Sequence, residues 1–237
     1  MKRSLFPVLA FSSFCLGVAL FSGASSATTL LSAVDQGNVK DDGEHVRLGT
    51  NYAVGNASLG TDFRDFFIFD LSSLTGNVVT SASLDIFLPE TGYSSSDTSE
   101  TLMLFDVSST SIASLVGTTG GVMDVNNYTD LGTGAVYGSS VVTESLENTV
   151  INIALSAAAI TDLNAAIGTL FAVGGDLTTA SVAPGQEIIF VNTQDIPLSQ
   201  TVLRLETTSV PEATTLALLT LSFAGIGYQR RKRAKAE

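Results

Sequence analysis

The chain has 237 residues, of which 45% are hydrophobic, and its 11 basic and 23 acidic residues give a net charge of −12. Such an acidic chain repels the phosphate backbone, so nucleic-acid binding is excluded as a function. The only cysteine, Cys15, lies close to the N-terminus. Disulfides therefore cannot stabilise the body of the protein.

The first 27 residues predict a secretory signal peptide. Lys2 and Arg3 form a basic start, an apolar stretch follows to about residue 21, and small residues come next. This three-part order is typical of a secretory signal, and Ser25 and Ala27 occupy the positions that signal peptidase reads. The pattern predicts cleavage after Ala27, with a retained membrane anchor as the alternative.

Residues 28–209 predict one extracellular all-β domain. Short apolar runs rich in β-branched and aromatic residues alternate with turn residues, which is typical of a β-sandwich or barrel. The clearest predicted strand pair joins residues 64–71 to residues 81–88, where alternate residues from Ala82 to Leu88 share one face. Further strands are predicted at residues 101–107, 149–155, 187–192 and 201–207, and another within residues 169–177.

One short helix is predicted inside this β-rich domain, at residues 156–168. Ser156 is a suitable N-cap and Gly168 a suitable residue just beyond the C-terminus. Ile160, Leu163 and Ile167 fall on one helical face. We expect this helix to close one end of the sandwich.

The chain ends with an apolar run and a basic cluster. Residues 213–228 carry no charge. As a helix they would rise about 24 Å, short for a ~30 Å hydrocarbon core but tolerable through local thinning. The pattern predicts a transmembrane helix with a cytoplasmic tail and the preceding domain outside; a buried core helix is the alternative. The tail cations are Arg230, Arg231, Lys232, Arg233 and Lys235.

Val210-Pro211-Glu212, followed by the apolar run and the basic tail, resembles the PEP-CTERM sorting signal of exported proteins in Gram-negative bacteria that make exopolysaccharide. The resemblance covers residues 210–237 and departs from the usual motif at Ala213, where proline is usual. It implies that an exosortase, a membrane-embedded cysteine peptidase, removes the tail near Glu212. The predicted organisation is a signal peptide at 1–27, an extracellular domain at 28–209 and a sorting segment at 210–237. Removing both ends leaves four basic residues against 21 acidic ones, a net charge of −17.

Residues 64–88 are similar to a segment of DNRLRE-type and carbohydrate-binding-module-like jelly rolls. The matching residues are Arg64, then Phe69-Asp70-Leu71-Ser72, then Ser81-Ala82-Ser83-Leu84. This resemblance implies a jelly-roll-like β-sandwich and identifies no ligand.

The sequence offers residues for two kinds of chemical site, a catalytic site and a calcium site. His45 is the only histidine and no common hydrolase or phosphate-binding motif is present in the sequence, so we expect no enzyme activity. Paired carboxylates could hydrolyse glycosides, but 21 acidic residues do not single out a pair. Oxygen-rich segments could instead hold a structural calcium ion, with Asx-rich turns as the alternative. The possible calcium ligands are Asp41, Asp42, Glu44, Asp124, Asn126 and Asp130.

The predicted function is that of a secreted, exosortase-sorted protein of the cell surface or exopolysaccharide matrix, with a structural or interaction role. A carbohydrate-binding module is the first alternative and a polysaccharide-acting hydrolase the second. The expected partners are signal peptidase and exosortase, the membrane before processing, and exopolysaccharide as a candidate ligand. Aromatic contacts for a sugar would come from Tyr52, Tyr93, Tyr128 or Tyr137.

Overall fold

The computed structural model describes residues 25–45, 51–57, 60–108, 110–116, 124–180 and 185–210. The predicted signal peptide up to residue 24 and the sorting segment from Pro211 onward, including the predicted transmembrane run and basic tail, lie outside these residues. The strands are β1 (Ser26–Ser32), β2 (Asp35–Lys40), β3 (Val54–Ala57), β4 (Thr61–Asp70), β5 (Asn77–Leu88), β6 (Tyr93–Ser95), β7 (Glu100–Asp106), β8 (Val136–Val142), β9 (Thr149–Ala154), β10 (Leu170–Leu177), β11 (Glu187–Ile189) and β12 (Thr201–Ser209). The α-helices are α1 (Ile112–Leu115), α2 (Val125–Leu131) and α3 (Ala157–Ala165).

Two antiparallel sheets make up the fold. The smaller sheet has four strands in the order β1-β12-β5-β9. The larger has eight strands, in the order β6-β11-β3-β4-β10-β7-β8, with β2 also paired to β4. Each predicted strand has its counterpart, namely β4, β5, β7, β9, β10, β11 and β12. The mostly β character expected from the sequence is confirmed.

The main core lies between the two sheets. Phe67 and Phe69 of β4 are fully buried and belong to the same apolar cluster as Leu84 and Ile86 of β5. Fully burying one such side chain contributes roughly 1.5–3 kcal/mol. The predicted inward face of residues 81–88 is confirmed, since Leu88 is fully buried as well.

The predicted pairing of residues 64–71 with residues 81–88 is wrong. Strand β4 pairs with β2, β3 and β10 in the large sheet, whereas β5 pairs with β9 and β12 in the small one. A 3-10 turn at Ser72–Leu74 and Gly76, at a φ of +82°, carry the chain between the sheets. Turn residues predict that a strand ends and the chain changes direction. They do not determine which sheet receives the next strand.

The predicted helix is confirmed as α3. The Ser156 side chain accepts a hydrogen bond from the Ala159 amide, Leu163 is fully buried, and Gly168 has a φ of +88°. The prediction of a single helix is incomplete, because α1 and α2 cover the outer face of the large sheet. There Phe66 and Ile68 of β4 form a second buried cluster with residues of both helices. A strand that is apolar on both faces needs such a cover.

The first and last strands are neighbours. Strand β1 pairs antiparallel with β12 from Ser26↔Thr208 to Ser32↔Val202. Ala27, the predicted signal cleavage position, therefore lies inside a paired strand, and its carbonyl accepts a hydrogen bond from the Thr207 hydroxyl. Within the described part of the chain, no helix has the length and apolar character needed to cross a membrane.

Candidate functional site

The two predicted calcium segments meet in the fold. The turn after β2, which carries Asp41, Asp42 and Glu44, lies against the start of α2. The Gly43 carbonyl accepts a hydrogen bond of 3.2 Å from the Asp124 amide. Gly43 has a φ of +87°, and a Cβ there would lie 2.6 Å from Asp124 backbone atoms. Only glycine allows this close approach.

The side chains of these segments nevertheless serve local structure. The Asp42 side chain accepts a hydrogen bond from the Glu44 amide, and Glu44 forms an ion pair with Lys40. Asp124 caps α2 by accepting the Asn126 amide at 2.9 Å, and the Asn126 side chain donates to the same carboxylate. Asp130 is 4% exposed and accepts the Thr110 amide at 2.8 Å. The contacts of Asp42 and Asp124 are those of an Asx turn and a helix cap. Asp41 contributes a backbone hydrogen bond to Asp62.

Three other carboxylates converge. Oxygens of Asp97, Glu100 and Glu187 lie within 4.8 Å of one another. Glu100 and Glu187 begin β7 and β11 and are buried, while Asp97 is exposed in the preceding loop. Among the described residues this is the group of acidic side chains that could hold a divalent cation, since Ca²⁺ prefers oxygen ligands.

Hydroxyl groups complete the surroundings of Glu100. Ser95 donates to one of its oxygens and Thr179 to the other, each at 2.5 Å. This group was not predicted from the sequence because Glu187 and Thr179 lie far along the chain from Asp97 and Glu100. They meet only through the β6–β11 and β7–β10 pairings. No local spacing signals such an arrangement.

A cleft with a volume of about 330 Å³ opens where β7, β8, β10 and α3 meet. This volume is at the lower end of the range for small-molecule sites, ~300–1,000 Å³. The Tyr137 and Phe171 rings in its wall are stacked, with centroids 5.8 Å apart and an interplanar angle of 16°. The described residues that line it are Asp106, Val107, Ser108, Ile112, Tyr137, Asp162, Ala165, Ala166, Leu170, Phe171 and Ala172.

The polar side chains of this cleft are the carboxylates of Asp106 and Asp162, the phenol of Tyr137 and the hydroxyl of Ser108. The Tyr137 hydroxyl donates to one Asp162 oxygen at 2.8 Å, and the Ala135 amide donates to one Asp106 oxygen at 2.5 Å. Burial raises the pKa of Tyr137 above its usual value, and the hydrogen bond to Asp162 and the charges of Asp162 and Asp106 raise it further. The phenol therefore stays protonated as a donor. For the second oxygen of either carboxylate, the described structure contains no hydrogen bond.

The other predicted aromatic contacts lie elsewhere. Tyr52 is fully buried and donates to the Phe87 carbonyl, Tyr93 donates to the Asp97 carbonyl, and Tyr128 donates to Asp62. Of the four tyrosines, Tyr137 is the one that lines the cleft.

Two further polar residues, Arg64 and His45, make contacts that stabilise the fold. Arg64 lies over the Tyr128 ring, 4.3 Å from its centroid, and forms an ion pair of 3.1 Å with Asp176. His45 bridges to Val39 and packs on the Phe66 ring at a centroid distance of 5.1 Å. These contacts stabilise the outer face of the large sheet.

One buried acid was also missed. Asp65 is fully buried in β4, and neither of its carboxyl oxygens has a hydrogen-bond partner. Its register partner on β2 is Asn38, whose side-chain oxygen is buried and equally without a partner. Burial, and secondarily the charge of Asp176, raises the pKa of Asp65 well above its usual value.

No protein-family model matches this chain, and no curated protein matches its sequence. The functional proposals therefore depend on the residues and geometry described above.

Proposed function

We propose that the chain is an exported protein that an exosortase sorts to the cell surface or exopolysaccharide matrix, where a jelly-roll-like β-sandwich has a structural or interaction role. One observation carries this proposal. Strand β12 ends at Ser209, and Val210, the first residue of the sorting motif, follows directly. A peptidase acting near Glu212 would remove no described strand.

The pairing of the two terminal strands supports the same proposal. Because β1 lies antiparallel to β12, Thr28, the predicted first residue after signal cleavage, is opposite Glu206 near the end of β12. Both predicted membrane segments would therefore leave the domain at one edge of the small sheet. This arrangement suits a domain that is held at the outer face of a membrane until its tail is cut.

The charge of the domain suits an extracellular matrix role. The lysine and arginine residues that the structure describes are Lys40, Arg64 and Arg204, and each forms an ion pair with a carboxylate. Most of the acidic residues therefore have no basic partner in the described structure, which keeps a protein soluble and attracts cations. We propose that any structural calcium ion is held by Asp97, Glu100 and Glu187, where the carboxylates converge.

The intact mass of the protein recovered from its native cells and medium tests the sorting proposal. We expect a chain that starts at Thr28 and ends between Val210 and Ala213. The Glu212→Ala variant should retain the tail, and the Ala213→Pro variant, which restores the usual motif, should be processed at least as completely. A wild-type mass that includes Glu237 would contradict sorting.

The cleft favours a second candidate function, carbohydrate binding. Its aromatic pair, Tyr137 and Phe171, and its acceptor carboxylates, Asp106 and Asp162, are groups that contact sugars in binding sites. Titration with neutral oligosaccharides, using Asp162→Asn as the comparison, tests this function. The hydrolase alternative would use the same two carboxylates. It requires that the wild type releases reducing sugar from a polysaccharide and that Asp162→Asn does not.

A further inference from the structure

We propose that the cleft at Asp106, Tyr137, Asp162 and Phe171 binds a small organic ammonium ligand, that is, a primary amine on a short apolar body. The proposal does not depend on the sorting signal. It is an alternative to the second candidate function, because this ligand carries a positive charge on an apolar body whereas a neutral sugar carries neither.

The charge balance of the cleft is the first argument. Two carboxylates line it, and none of its described lining residues is basic. The arginines and the lysine of the described structure pair elsewhere, with Glu44, Asp176 and Asp85. The two negative charges in the cleft therefore have no protein counter-charge among these residues. An anionic ligand would be repelled, and a cationic one would be attracted.

The hydrogen bonds of the two carboxylates are the second argument. One oxygen of Asp162 accepts the Tyr137 hydroxyl, and one oxygen of Asp106 accepts the Ala135 amide. These bonds hold both side chains in place and leave one oxygen of each without a partner in the described structure. A primary ammonium has three donors and no acceptor, so it matches acceptors that lack a donor. Charge-assisted bonds of this kind are roughly twice as strong as neutral ones.

The rest of the wall is apolar and suits the body of such a ligand. Ile112 of α1 and Leu170 of β10 lie in it, beside the stacked rings of Tyr137 and Phe171. Aromatic rings also attract a nearby ammonium group. An apolar wall next to two carboxylates selects an amine with a short hydrocarbon body over a fully hydrated inorganic cation.

Helix α3 accounts for the space. Asp162 lies three and four residues before Ala165 and Ala166, which places all three on one helical face. Alanine side chains at these positions leave the cleft open in front of the carboxylate. Ala166→Leu should therefore fill the cleft without changing its charge.

The test is a calorimetric titration of the purified full chain at pH 7 and constant ionic strength, with n-butylammonium chloride and, as the matched neutral probe, 1-butanol. We expect saturable binding of the amine and none of the alcohol. Asp106→Asn and Asp162→Asn should each weaken binding by on the order of tenfold or more. Each asparagine retains an oxygen to accept the existing internal bond, and a melting curve confirms folding. Ala166→Leu should abolish binding because the larger leucine side chain occupies the cleft.

The control variant is Asp195→Asn, which removes one negative charge at an exposed residue outside the cleft. It should bind the amine like the wild type. Equal weakening by Asp195→Asn would mean non-specific attraction and would overturn the proposal. A parallel titration with glucosamine and glucose separates the sugar function from the ammonium site. Equal binding of the two sugars would favour a neutral-sugar site instead, and binding of no probe would refute an ammonium site.

Discussion

Replacing Asp65 with asparagine should stabilise the domain at neutral pH. Asp65 is fully buried in β4 between Asn38 of β2 and Gly175 of β10, and both its carboxyl oxygens lack a hydrogen-bond partner. Its neighbour Arg64 pairs with Asp176 and does not compensate this carboxyl. A charge in this position would be unpaired in an apolar core, so the side chain stays neutral by keeping its proton. The protonated group can donate to the unpartnered oxygen of Asn38.

The size of the effect follows from the proton that native Asp65 keeps. Each pH unit by which the native pKa of a carboxyl group lies above its pKa in the unfolded chain costs about 1.4 kcal/mol of stability. Asparagine has nearly the same shape as aspartic acid, does not titrate and, like the protonated acid, has an N–H or O–H donor for the Asn38 oxygen. We therefore expect Asp65→Asn to raise the free energy of unfolding by on the order of 1–3 kcal/mol at neutral pH. For a domain of this size that corresponds to a melting temperature about 2–4 °C higher per kcal/mol.

The sign of the pH dependence is fixed by linkage. The pKa of Asp65 is raised in the native state above its ordinary value of 3.8, chiefly by burial. Above pH 3.8 the unfolded chain releases this proton first, so the native state binds more protons. The free energy of unfolding of the wild type therefore falls as pH rises, until the native Asp65 also ionises. The stabilisation by Asp65→Asn should be small near pH 3 and should grow with pH.

Thermal denaturation of wild type and variant across this pH range is the assay. The pKa of Asp176 is also raised by burial, against the opposing effect of Arg64. The wild type and the variant both contain Asp176, so the comparison between them isolates the effect of residue 65. Asp70→Asn is the matched control, because its effect on the free energy of unfolding should change with pH in the opposite direction. The Ser72 backbone amide and hydroxyl lower the pKa of Asp70, so its stabilising contribution is present at neutral pH and is lost on acidification. A less stable Asp65→Asn variant at neutral pH, or a difference that does not grow with pH, would refute the conclusion that native Asp65 is protonated.

Three further predictions concern other parts of the domain. Gly175→Ala should destabilise the domain by about 1–3 kcal/mol in denaturant unfolding, because the new Cβ would overlap an Asp65 oxygen. If Gly175→Ala lowers stability equally in the Asp65→Ala background, the overlap is not the cause. Added calcium should raise the melting temperature by binding Asp97, Glu100 and Glu187. The Glu100→Gln variant should lose this response and the Asp42→Asn variant should keep it. If the response instead requires Asp42, the calcium site lies in the turn after β2. Ser156→Ala should cost about 0.5–2 kcal/mol by removing the N-cap of α3, whereas Ser156→Asn should cost little.

Local patterns predicted the elements of this fold well because their causes are local. The alternation from Ala82 to Leu88 depends on the two-residue period of a strand, and α3 depends on a cap and a helical period. The partner of each strand is a non-local property. The chain leaves β4 through a turn that would equally suit a hairpin, yet it enters the other sheet. For that reason the seven predicted strands are present while one predicted pairing is wrong, and strands β1, β2, β3, β6 and β8 were not predicted.

The candidate sites were harder to predict than the fold for the same reason. The calcium ligands predicted from the sequence lie where acidic residues are close along the chain, and Asp42 and Asp124 there accept hydrogen bonds from neighbouring amides in a turn and a cap. The convergent carboxylates come from strands that are far apart in the chain, as Glu100 and Glu187 do. Asp65 stands in a run of aromatic strand residues that predicts only a strand, and its lack of partners is a property of the folded sheet. The cleft of Tyr137 and Phe171 likewise exists only once β8 and β10 are placed.

The β1–β12 pairing also constrains how export and folding can be ordered. Signal peptidase needs an extended, unpaired segment around Ala27, but in the folded domain Ala27 is opposite Thr207 and bonded to it. If the chain is exported as proposed, β12 crosses the membrane after the other described strands, because it is the last of them in the chain. Cleavage after Ala27 is therefore compatible with this fold if it happens while β12 is still untranslocated. The small sheet is then completed last, because its edge strand waits for the most distant partner in the sequence. Since the proposed sorting motif begins directly after that strand, closure of the sheet and presentation of Val210 to a peptidase would be consecutive steps at the same end of the domain.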